Sequence, residues 1–187
     1  MARWFFQQAG AVLLLGGLAA CASYPEPVSY NPTRPSALPD GAYAFDPDAP
    51  PHIADSTAPM ECVPFARQAS GIEIYGDAST WWDQAAGRYP RSSLPAPGAV
   101  LVMRGYNDPT RGHVAVVTAV ISTRLIRVDQ ANWLNHGEIS LGVPVTDVSP
   151  NNDWSEVRVW YIPTQDWGAR VYQAQGFIHP FALTPVA

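Results

Sequence analysis

The sequence predicts an α+β domain in which N-terminal helices pack on an antiparallel β-sheet. Helical signals come first, between residues 59 and 87, and apolar or alternating runs of strand length follow from residue 99 onward. A hairpin turn at Ser122-Thr123 sets two of those runs antiparallel. Helices followed by strands are the pattern of a layer of helices on one sheet face, rather than of alternating crossover units. A chain of 187 residues has room for one such domain plus accessories, and no internal repeat divides it.

The first elements are not part of that domain. Residues 1–21 read as an export signal, with Arg3 as the positive start and Ala9 to Leu18 as an apolar run too short to span a bilayer. The run ends in Leu18-Ala19-Ala20-Cys21, which resembles a bacterial lipobox, so Cys21 is the expected lipid attachment site. Acyl chains would then hold the protein at a membrane. The absence of aspartate at Ala22 and Ser23 points to the periplasmic face of an outer membrane. Residues 22–58 carry repeated proline among Ser, Asp, Asn and Tyr, a composition that predicts an extended tether.

The folded domain is expected over 59–187, with a C-terminal extension. In Pro59 to Gly71, Pro64 lacks a backbone N–H, which is harmless only in a helix's first turn. Val63, Phe65, Ala66 and Ala69 give helical spacing, and Gly71 suits the stop. A second helix is predicted over Ala78 to Ala86, capped by Asp77, with Trp81 and Trp82 as core aromatics. Strands are predicted at Ala99–Met103, Gly112–Ile121, Leu125–Gln130 and Val157–Ile162, with one or two shorter ones between Gly137 and Val145. The tail around Phe177 to Phe181 is expected to pack back as irregular structure.

Composition narrows the function. The chain is 47% hydrophobic and 14% charged, as globular proteins are. Its net charge of −5, with arginine as the sole basic residue besides histidine, argues against a nucleic-acid surface. Four histidines and two cysteines are too scattered for a structural zinc site, so neither a metal nor another cofactor is expected. If Cys21 is lipidated, Cys62 is the remaining thiol, and a lone thiol in an exported protein is a candidate nucleophile. At a helix start, unpaired amides and the helix dipole should lower its pKa.

A nucleophilic cysteine needs a base within hydrogen-bond reach and a third group to orient that base. His113 opens a strand after Gly112, which places its ring at a sheet end. Asp129 and Asn132 end the next strand, which the hairpin sets beside the first, and either could accept a hydrogen bond from the imidazole. Trp133 and Tyr106, in flanking loops, are candidate substrate-binding residues, whereas His52, His136 and His179 read as structural or solvated.

Taken together, Glu61-Cys62-Val63-Pro64-Phe65-Ala66-Arg67, Gly76-Asp77-Ala78, Trp81-Trp82, Pro97-Gly98-Ala99-Val100-Leu101, Gly112-His113-Val114-Ala115-Val116-Val117 and Asn132-Trp133 resemble the CHAP domain, the cysteine, histidine-dependent amidohydrolase/peptidase family. The resemblance implies a papain-like fold, peptidoglycan stem or cross-bridge peptides as substrate, Cys62 as nucleophile and His113 as base. That family usually places a glutamate two residues before the asparagine of a Glu-x-Asn-Trp run. Here Asp129 lies three before Asn132, and a regular strand would turn the two side chains to opposite faces unless a bulge intervened. Asp129 is favoured as the orienting group because a carboxylate stabilises imidazolium better, with Asn132 next. The expected function is a peptidoglycan amidase or endopeptidase working through a thioester. The alternatives are a non-catalytic envelope-binding domain and an amidase acting on a small amide conjugate; an unidentified activator or inhibitor protein is a possible further partner.

Overall fold

The computed structural model describes residues 28–29, 49–54, 59–134 and 136–185. The export signal, the lipobox with Cys21 and most of the tether lie outside the described residues. Six strands form the body: β1 (Val100–Arg104), β2 (Gly112–Ser122), β3 (Leu125–Ala131), β4 (Ile139–Asp147), β5 (Glu156–Tyr161) and β6 (Tyr172–Ile178). They pair antiparallel in the order β4-β3-β2-β1-β6-β5, and a further pairing of β4 with β5 closes the ring. Two-residue strands extend this barrel: His52–Ile53 on β4, Arg91–Ser92 on β6 and Asp166–Trp167 on β5.

This architecture corrects the expected α+β, papain-like layering of helices on a sheet. The domain is mostly β, and the two α-helices among the described residues are short: α1 (Cys62–Ser70) has nine residues and α2 (Trp81–Gln84) four. The expected second helix splits into a 3-10 turn at Ala78–Thr80 and α2, before a turn that reaches Gly87 at φ 72°. The tail is irregular only beyond Ile178. Tyr172–Ile178 is the strand that joins β1 to β5, its pairing interrupted by a register shift between Ala174 and Gly176. Closure is what removes the open sheet, because a barrel has no free edge to cover with helices. Composition likewise assigned His52–Ile53 to the tether, yet these residues pair with Leu141 and Ser140 of β4.

Strand alternation divides the core in two. Leu101, Met103, Ala115, Val117, Val128 and Val143 point into the barrel with Trp154 and Phe177. Val100, Val102, Val114 and Val116 point outward against Phe65 and Ala66 of α1, and against Ile72, Ile74 and Trp81. Both clusters are almost fully buried, so α1 is fixed against β2 and β3 by apolar packing despite its length.

Candidate active site

The helix begins where its sequence predicts. Glu61 is the extended residue before α1, Cys62 opens it, and Gly71 ends it at φ 74° with its amide bonded to the Arg67 carbonyl. The stretch leading into α1 is clamped by the loop after β3. The Met60 amide donates to the Gly137 carbonyl at 2.8 Å. Asn132 Nδ2 donates to Glu61 Oε2 at 2.7 Å, and Asn132 Oδ1 accepts from the Gly137 amide at 2.9 Å. Asn132 holds the left-handed conformation at φ 58°, which asparagine tolerates better than most residues. Its side chain thus ties the residue before Cys62 to the end of β3 and does not contact the imidazole.

His113 comes from the other direction, at the start of β2. Gly112 permits this placement: a Cβ there would lie 2.7 Å from the Ser79 amide nitrogen, so the 3-10 turn can rest on the strand immediately before the histidine. The Val114 amide, one residue beyond His113, is near enough to the half-buried Cys62 thiol to favour its ionised form. The thiol and the imidazole-bearing segment therefore meet.

The group that orients His113 is Gln130, which the sequence reading passed over. Its Oε1 lies 3.0 Å from His113 Nε2 in a buried contact. An amide oxygen there requires the proton on Nε2 and leaves the Nδ1 lone pair free to take a proton. Asp129 points the other way, and its Oδ1 accepts the Gly142 amide at 2.7 Å. The register does contain a bulge, between Val128 and Gln130 opposite Ser140 and Val143, but the extra residue is on β4. It does not bring Asp129 round to His113. Gln130 stands two residues before Asn132, the spacing at which the family's glutamate is expected, and that spacing was the signal available in the sequence.

Electrostatics set the resting state. Burial pushes the Cys62 thiol above its ordinary value and the Glu61 carboxylate adds to the rise, against the amides of Val114, Val63 and Cys62 itself. The helix start does not by itself ionise the sulfur. Burial also drives His113 down to about 4, although the Gln130 bond favours the imidazolium. Thiol and imidazole therefore rest neutral at pH 7. Asp129 is raised to about 6, by burial above all, with the Gly142 amide and the nearby His52 working the other way.

Aromatic rings lead from the imidazole outward. Trp133 stacks edge-on against His113 with centroids 4.7 Å apart, Tyr172 lies 4.9 Å from Trp133, and Tyr106 lies 5.7 Å from Tyr172. Arg170 covers the Tyr106 ring at 4.8 Å. Trp133 is nearly buried, while Tyr106 stands open at 47% exposure. Of the predicted substrate-binding pair, one therefore backs the imidazole and the other is solvent-facing. Among the described residues, no three His, Cys, Asp or Glu side chains gather as metal ligands would.

The start of α1, with Cys62, and the start of β2, with His113, thus lie next to each other at one end of the barrel. Residues 53–132 match the family model of the CHAP domain. The match includes Cys62, His113, Gln130 and Asn132, and it points to peptidoglycan hydrolase-type activity on wall peptides in general. No curated protein and no solved structure matches the chain.

Proposed function

We propose that the protein is a cysteine amidohydrolase or endopeptidase that cleaves amide bonds of peptidoglycan peptides. The observation that carries this reading is the bond between His113 Nε2 and Gln130 Oε1, because it fixes the tautomer that can take a thiol proton. Since both groups rest neutral, proton transfer from Cys62 to His113 Nδ1 accompanies attack of the sulfur on the scissile carbonyl. The developing oxyanion is served by main-chain amides at the start of α1. The imidazolium then protonates the departing amine, leaving a thioester. His113, neutral again, removes a proton from water as it attacks that thioester, and returns the proton to the sulfur as acid is released.

Export on a lipid-bearing Cys21 to the periplasmic face of the outer membrane would bring this site to its substrate; the lipobox is what supports it. The burial of both Cys62 and His113 favours, as a second reading, a wall-binding domain without turnover. Incubation of the protein with purified sacculi and mass spectrometry of released products separates the two. Soluble peptides from wild type, lost in Cys62→Ala and His113→Ala with the fold retained by circular dichroism, are expected. Equal release by wild type and Cys62→Ala would eliminate a thiol nucleophile, and sacculus binding without release would favour the second reading.

A further inference from the structure

At the start of β2, next to Gly112, lies a cleft of 560 Å³ lined by Ser79, Trp82, Asp83, Arg104, Arg111 and Gln175, among others. Three placements connect it to the site. Arg104 pairs in register with Gly112, so its main chain sits diagonally beside His113. Alternation along β1 puts Arg104 on the same outward face as Val100 and Val102, the face that carries α1 and Cys62. Ser79, on the cleft wall, rests its backbone against Gly112.

The charges in the cleft stand against the acidic balance of the whole chain, −5. Among the described residues the Arg104 and Arg111 guanidinium groups enter no ion pair, whereas Arg124 is bonded to Asp147 at 3.3 Å. Arg91, close by, is already engaged: it stacks on Trp82 at 4.8 Å and donates to the Trp82 carbonyl. Asp108 faces Arg111 only through space, its carboxylate being held by Thr110. Asp83 is the carboxylate on the cleft wall. Two guanidinium groups outside any ion pair, in a concave site of this size, match a planar carboxylate.

We propose that this cleft is a subsite for a carboxylate of the peptide held at Cys62, with Arg104 and Arg111 as its ligands; the inference rests on the proposed peptide substrate. The subsite would therefore select acidic stem peptides over those whose carboxylates are amidated.

The test uses the full chain bearing Cys62→Ala, and calorimetry with muropeptides in native free-acid form and after chemical amidation. Free-acid peptide should bind about tenfold more tightly. That preference should fall to near unity in Arg104→Gln and Arg111→Gln, with Arg104→Lys keeping part of it. Equal affinity for the two peptides, absence of binding, or a preference unchanged in both glutamine variants would overturn the subsite. Since binding is read without a nucleophile, a failure of hydrolysis in the wild type leaves this measurement intact and is recognised separately.

Discussion

His113 Nε2 and Gln130 Oε1 lie 3.0 Å apart, joining the first residues of one strand to the last of its neighbour. An uncharged acceptor favours the charged ring less than burial opposes it, which is why burial dominates the His113 pKa. Gln130→Ala should lower kcat on sacculi by about tenfold to a hundredfold, because the ring loses its fixed tautomer. Gln130→Glu should retain turnover and stabilise the imidazolium. A mutant series in which Gln130→Ala matches wild type would remove the orienting role.

The pH profile follows from the same pair. In the proposed mechanism His113 must be neutral to accept the thiol proton, and its pKa is pushed down to about 4. The acid limb of kcat/KM should therefore fall near pH 4, well below the 6.5 of an ordinary histidine. In Gln130→Glu the limb should move upward, since a carboxylate favours the charged ring. Rate measurements from pH 3.5 to 8 on both proteins check this; a wild-type limb between pH 6 and 7 would contradict it.

Local features of the site were legible because they are written in adjacent residues. Pro64 and Gly71 bracket α1, and Gly112 precedes the histidine that it makes room for. The closed barrel was not, because the pairing of Val145 with Val159 and the return of Tyr172–Ile178 are contacts between distant segments. Gly176 and the register shift beside it also blur the alternation that would announce a strand. Gln130 was overlooked for a chemical reason. Ionisable residues draw attention as partners of an imidazole, and Asp129 is next to it in sequence while the pleat turns its carboxylate to Gly142.

Glu61 should restrain the reactivity of Cys62. Its carboxylate, fixed by Asn132 at 2.7 Å, adds to the rise in thiol pKa that burial begins. Glu61→Gln keeps an oxygen for Asn132 Nδ2 and removes the charge. Alkylation of Cys62 by iodoacetamide at pH 8 should accelerate about two- to fivefold, as a lower pKa yields more thiolate. Asn132→Ala removes both of its side-chain bonds and leaves alanine at φ 58°, so about 1–3 kcal/mol of stability should be lost in urea melts. An unchanged alkylation rate in Glu61→Gln would show that burial alone sets the thiol.

Asp129 gives the opposite result, a stabilising loss of charge. Its folded pKa of about 6 exceeds the ordinary 3.8, so the folded state binds the proton more tightly than the unfolded chain. That contribution is complete below pH 3.8 and is lost as the pH rises through 6, beyond which the fold holds a desolvated carboxylate. Asparagine can still accept the Gly142 amide and carries no charge. Asp129→Asn should raise stability by about 2–3 kcal/mol at pH 8 and have little effect at pH 3.5. The buried His113 and His179, both near 4, lose stability for the fold as the pH falls from 6.5 toward 4, but they do so in both proteins and cancel from the difference. Urea titrations of the two proteins at pH 3.5, 6 and 8 give the three points needed. A destabilised variant at pH 8 would mean that the carboxylate charge is held by more than the Gly142 amide and His52, and an accompanying loss of sacculus cleavage would return Asp129 to the catalytic group.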